Sequence, residues 1–213
     1  MFITFEGLDG AGKSTQISRL VSRMEKAGGA VVVTREPGGT DGGNLIREWL
    51  LREDADWTSI AEAYLYAASR AQLVETVILK ALAEGRHVVC DRYVDASVAY
   101  QGAGLGIGEE RVREMNELAI QGVLPDLTFL FDLPVETSKL RTAAGRGRAP
   151  ADRIEQRSVA FFERVRAAFL RLAKDNPERV VVLDATRSAD ELEQDIWETV
   201  ANSIHLGKGA RFS

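Results

Sequence analysis

Five short apolar runs punctuate the chain, and the stretches between them carry apolar residues at helical spacing. Phe2–Phe5, Ala30–Thr34, His87–Cys90, Leu127–Leu133 and Val180–Leu183 read as strands. The second of these, Ala-Val-Val-Val-Thr, has the continuous apolar character of a strand buried on both faces. Helical spacing appears at Ile17, Leu20, Val21 and Met24, at Leu45, Ile46, Trp49 and Leu50, and over a longer helix from about Ser59 to Leu82. Further helices start near Val135, run through Val159, Phe162, Val165, Phe169 and Leu172, and close the chain at Leu192, Ile196 and Val200. Strands alternating with helices in this way predict an α/β fold. Its five-stranded parallel sheet is covered by helices on both faces, and ligands gather at the strands' carboxyl ends.

Composition narrows the picture. The 213 residues are 45% apolar, which suits a single domain, set here at 1–206 with a small basic tail at 207–213 expected to be mobile. Lys and Arg number 27 against 32 Asp and Glu, a net charge of -5, so no overall basic field favours nucleic acid. The single Cys90 lies in an apolar run and reads as a small buried residue. The chain opens on a strand and no segment approaches ~18 consecutive apolar residues, so neither a secretory signal nor a membrane span is expected. The expected location is the cytoplasm.

The chemistry begins directly after the first strand. Gly7-Leu8-Asp9-Gly10-Ala11-Gly12-Lys13-Ser14 has the glycine, four residues, Gly-Lys-Ser spacing of a phosphate-binding loop, whose backbone N–H groups turn inward around an anion. It lies between a strand and a helix N-terminus, the arrangement that adds a favourable dipole. Lys13 is expected to bridge the terminal phosphates and the Ser14 hydroxyl to hold magnesium.

At the third strand's end, Asp91 either caps the next segment or holds magnesium opposite Ser14, and Arg92 beside it can grip a second phosphate. Asp132, also at a strand end, is the rival magnesium ligand. Tyr66 and Arg70 share a helix face. Taken alone they read as a packed ring and a solvated cation; together they can also frame a planar ligand. The Gly- and Arg-rich stretch from 143 to 153 reads as a lid rather than a solvated loop, because phosphoryl transfer spreads charge that arriving arginines neutralise.

FEGLDGAGKST (5–15), TREPGGT (34–40), YAASRAQLVE (66–75), DRYVDASVAYQG (91–102), PDLTFLFDL (125–133) and DRIEQ (152–156) stand in one order over nearly the whole chain. Together they resemble the thymidylate kinase family. The resemblance implies a P-loop nucleoside monophosphate kinase fold with a short arginine-rich lid. The implied reaction is transfer of the γ-phosphoryl group of ATP, with Mg2+, to dTMP. It places Gly7 to Thr15 and Arg141 at ATP, and Ser14 and Asp91 at magnesium. Asp9, Arg35, Pro37, Tyr66, Arg70, Arg92, Ser97, Tyr100 and Gln101 fall at dTMP.

Within that set, Arg92 matches the arginine on the dTMP phosphate, Arg70 the donor to the thymine ring, and Tyr100 the ring that crowds the 2' position. Tyr66 stands where the family usually has a phenylalanine. Gly10 follows Asp9 where some members carry an arginine, so the lid arginines Arg146, Arg148 and Arg153 are the expected catalytic partners of Asp9, Lys13 and Arg92. The resemblance also implies a homodimer, for which the apolar helix face from Tyr64 to Ile78 is a candidate. Rival readings are another nucleotide or nucleoside kinase of this fold and a nucleotide-dependent switch. The latter lacks an Asn-Lys-x-Asp segment here and has no use for Arg92.

Overall fold

The structure, a computed structural model, describes residues 1–147 and 150–205; Arg148 and the tail at 207–213 lie outside the described residues. Five parallel strands form one sheet: β1 (Phe2–Gly7), β2 (Val31–Arg35), β3 (His87–Asp91), β4 (Leu127–Asp132) and β5 (Val180–Asp184), in the order β2-β3-β1-β4-β5. Helices α1 (Lys13–Lys26) and α9 (Ala189–His205) cover one face, packing Ile17, Leu20 and Ile196 against Ile3 and Phe5. The opposite face meets α3 (Ser59–Leu73) and α8 (Val159–Asp175), with Leu73 near Phe2 and Phe169 near Leu130. Period-two alternation in β1 therefore serves two cores at once.

Strand β1 is central, and its partners at both carboxyl ends define where the chain turns toward ligand. Phe5 pairs with Asp91 and Gly7 with Phe131, so the loop after β1 emerges between the ends of β3 and β4. By contrast β2 lies at the sheet's edge, and Val33 is 52% exposed rather than buried on both faces. Its apolar run reports strand propensity, while neighbour order decides burial.

The predicted long helix is one path with a break in character. After α3 a π-helical segment (Val74–Ile78) leads into α4 (Leu79–Ala83), and Val74 and Ile78 lie in the core. The candidate association face is thus reduced to its first half, where Tyr64 stays 58% exposed. Hydrophobic spacing predicts no element between 94 and 120. That stretch forms the short α5 (Val94–Ser97), a second π-helical segment (Val98–Gly104) and α6 (Glu109–Ile120). Helix α2 (Asp41–Leu51), capped by Thr40, packs beside α3. The first part of the expected lid is helical, because α7 (Val135–Arg146) runs to Arg146. No helix among the described residues is long and apolar enough to cross a membrane.

Candidate active site

Two adjoining clefts open at the carboxyl edge of the sheet. The first, of about 480 Å³, is lined by Gly10, Gly12, Lys13, Ser14, Thr15 and Asp91, with Arg35 and Arg141 among the other wall residues. The second, of about 220 Å³, is walled by Pro37, Tyr66, Arg70, Ser97, Tyr100 and Gln101. Asp9, Glu36, Arg47 and Arg92 border both.

Main-chain conformation builds the first cleft. Gly7, Gly10 and Gly12 all have positive φ, and a Cβ on Gly7 would stand 2.4 Å from the Phe131 carbonyl oxygen. Leu8 and Ala11 turn their side chains into the core. The open N-terminus of α1 follows, with Gly12 at its cap and no side chain satisfying the first amides. Ser138 Oγ on α7 donates to the Asp9 carbonyl at 2.7 Å and braces the loop from behind. Lys13 Nζ donates to the carbonyls of Gly7 at 3.3 Å and Leu8 at 2.9 Å. Burial, then the neighbouring Arg92, pull its ammonium below the ordinary value.

Arg92 spans the boundary. Its Nη1 donates to the Gly7 carbonyl at 2.8 Å and its Nη2 to Asp9 Oδ1 at 2.7 Å, with the guanidinium 5.0 Å from the Tyr100 ring centre. Lys13 and Arg92 therefore hang on the same carbonyl oxygen, Lys13 in the first cleft and Arg92 at the boundary of the two. Partial desolvation pushes the Asp9 carboxyl up, but Arg92 and Lys13 outweigh it and hold the group below the usual range. Arg92 itself has φ 70°, a left-handed conformation that a side chain seldom adopts away from a functional site.

Asp91 Oδ1 is buried and has no hydrogen-bond partner among the described residues, and it shares the first cleft with Ser14. A carboxylate oxygen left unpaired beside a hydroxyl fits a hard cation. Asp132, the rival, is taken by Arg166 through bonds of 2.7 and 2.9 Å. Arg141 donates to the Ala185 carbonyl at 3.0 Å and holds a side of the same cleft.

The second cleft departs from the isolated reading of its helix pair. Tyr66 borders the cavity instead of packing in the core, and Arg70 is 1% exposed rather than solvated. Arg70 forms a buried ion pair with Glu36 and donates to Asn116, to Ser97 Oγ at 3.1 Å and to the Tyr93 carbonyl at 3.1 Å. Burial pushes Glu36 up to about 7 against the pull of Arg70. The Glu36–Pro37 peptide is cis, and Gly38 N–H donates to Ser69 Oγ at 3.0 Å, which ties this loop to α3.

Three sequence expectations need correction. Arg35 lines the first cleft and not the 220 Å³ cavity. Arg153 is not free to meet phosphate in this arrangement, since its Nη2 donates to Glu62 Oε2 at 2.6 Å and its Nε to the Leu50 carbonyl at 3.2 Å. Arg146 pairs with Glu155 beside a separate cavity of about 230 Å³ that Asp9 and Ser138 also line. Buried or half-buried carboxylates capture both guanidiniums more strongly than solvent would.

The family model described as thymidylate kinase matches residues 5–196. The chain belongs to the thymidylate kinase family. A thymidylate kinase of Exiguobacterium sp. is 49% identical over 208 residues, covering 97% of this chain and 97% of the relative. One of Deinococcus radiodurans is 48% identical over 205 residues, covering 96% and 98%. The crystal structure of thymidylate kinase from Ehrlichia chaffeensis superposes with a TM-score of 0.76 at 32% identity, covering 94% of this chain and 98% of that one.

Within this thymidylate kinase fold, sequence reasoning missed Arg47, Glu6 and Glu62. Arg47 lies between the two clefts and donates to the Pro37 carbonyl at 3.2 Å. Glu6 is buried under Arg92 and accepts from Tyr93 N–H at 2.7 Å. Glu62 is the buried anchor of Arg153. Glu6 and Glu62 are single charges in otherwise apolar stretches and Arg47 stands beside Glu48 on a helix, so only the FEG context of Glu6 hinted at a site.

Proposed function

We propose that the chain transfers the γ-phosphoryl group of ATP to dTMP, giving ADP and dTDP. The observation that carries this reading is the pair of cations on one carbonyl: Lys13 in the phosphate-loop cleft and Arg92 at its boundary with the nucleoside cavity. ATP phosphates would lie over the loop amides and Lys13, with Arg141 at the edge of the cleft. A dTMP phosphate would meet Arg92, with its base between Tyr66, Arg70, Ser97 and Gln101.

An acceptor phosphate oxygen attacks the γ-phosphorus in line. A phosphate monoester has its second pKa at about 6, so the reaction needs no strong base. Catalysis is then alignment and charge compensation by Lys13, Arg92 and Arg47. Ser14 and Asp91 would hold Mg2+, which supplies further charge neutralisation at phosphate oxygens. Asp9 orients Arg92 and so the acceptor. The lid arginines would contribute only after leaving Glu62 and Glu155.

A coupled ADP-release assay with dTMP, dUMP, dCMP and thymidine tests the reading. Turnover is expected to be highest with dTMP, and Arg92→Lys to lower kcat/KM for dTMP by about 10²-fold or more while ATP still binds. ADP release that ignores dTMP would leave a slow hydrolase or switch instead. Exposed apolar residues on adjoining helices, Tyr64 on α3 and Leu118 on α6, support association as a homodimer.

A further inference from the structure

Glu62 is 1% exposed, yet each of its oxygens is engaged by a different region. Oε1 accepts from Gln101 Nε2 at 3.1 Å. Oε2 accepts from Arg153 Nη2 at 2.6 Å and lies 3.5 Å from Arg157 Nη2. A carboxylate paired with two guanidiniums offers lone pairs only. The Gln101 amide must therefore present its NH2 group to Glu62; reversed, it would set oxygen against oxygen.

That constraint reaches the nucleoside cavity. Gln101 is buried and lines the cavity, and its Oε1 has no partner among the described residues. The edge left for a ligand is thus a hydrogen-bond acceptor. On Arg70 the partners Ser97, Asn116, Glu36 and Tyr93 occupy both terminal nitrogens, and the buried Nε–H is left without one. That Nε–H has no accessible surface, so what the cavity offers is the acceptor, which complements the ring N–H of an imide edge, where that N–H stands beside a carbonyl. Cytosine presents the reverse, a bare ring nitrogen beside an amino group.

We infer that Glu62 is a specificity-determining positioning residue: by locking the Gln101 amide in one orientation it sets the cavity to select an imide-edged pyrimidine over an amino-edged one. This rests on the dTMP kinase reading. Glu62 touches no substrate and acts through Gln101, while Arg153 and Arg157 engage its other oxygen.

The test is the ratio of kcat/KM for dTMP to that for dCMP. Glu62→Gln keeps the shape but can donate as well as accept, so the Gln101 amide becomes free to turn. The ratio is expected to fall by about 10-fold or more, chiefly through KM for dTMP. In a Gln101→Leu background the same substitution is expected to leave the ratio alone. A purely structural role would lower both substrates together, and an unchanged ratio in active Glu62→Gln overturns the inference. Should that variant fail to fold, Glu62→Asp keeps the charge for both arginines but stands one methylene short of Gln101. Its ratio is expected to fall too, and an unchanged one overturns the inference equally. Wild-type protein that turns over no dTMP sinks the kinase reading itself, whereas dTMP turnover with an unmoved ratio sinks only the role of Glu62.

Discussion

Arg92 holds its left-handed backbone because its neighbours repay the conformational cost, about 1–2 kcal/mol for a residue with a Cβ. Its amide donates to the Phe5 carbonyl at 3.0 Å, and the next amide, of Tyr93, donates to Glu6. Glu6 therefore fixes the turn on which the guanidinium is mounted. Burial first, then Asp95, push its carboxyl up to about 8. The folded chain then holds the Glu6 proton more tightly than the unfolded chain does. That contribution to stability is complete below the ordinary value of 4.5 and is lost as pH rises through about 8. Glu6→Gln keeps an acceptor for Tyr93 and removes the titration. Across that window its melting temperature, followed by calorimetry, is expected to fall less steeply with pH than that of the wild type; parallel curves would remove Glu6 from the account. Nothing in FEG taken alone discloses this, since a polar residue at every second position also describes a strand with one wet face.

At the level of elements, the phosphate loop depends on how closely β1 passes β4. Gly7 pairs with Phe131 and has φ 128°, so Gly7→Ala meets both a steric and a conformational barrier. We expect a stability loss of about 1–3 kcal/mol or more. ATP and dTMP affinities, measured by calorimetry, should weaken together, because the displaced carbonyl holds Lys13 and Arg92 alike. Weakening of ATP alone would contradict the shared anchor.

The strands were legible to within two residues because each is a compact apolar run, and the loop because its chemistry is contiguous. The edge position of β2 was not legible, since strand order is decided by contacts distant in sequence. Nor were the elements between Val94 and Ile120. Glycines at 102, 104, 106 and 108 interrupt helical periodicity there. Two of them serve close packing: a Cβ would lie 2.9 Å from Glu109 Cα at Gly102 and 2.6 Å from the Phe161 ring at Gly104. The lid arginines are the opposite case, conspicuous in sequence but folded onto carboxylates that periodicity alone could not locate.

For the whole molecule, the exposed apolar surface on α3 and α6 is the feature that calls for a test. Leu118 on α6 is 91% exposed, and α3 beside it carries Tyr64 and Ile60 at the surface. Sedimentation velocity is expected to show a dimer, and Leu118→Glu to shift it to monomer with little change in melting temperature, since the side chain contributes nothing to the core. A wild-type monomer at micromolar concentration would withdraw the association. The Gly7 oxygen also has a consequence for how the molecule tolerates motion. With both cations moored to that atom, their spacing is set locally, by one peptide unit rather than by the packing of the surrounding helices.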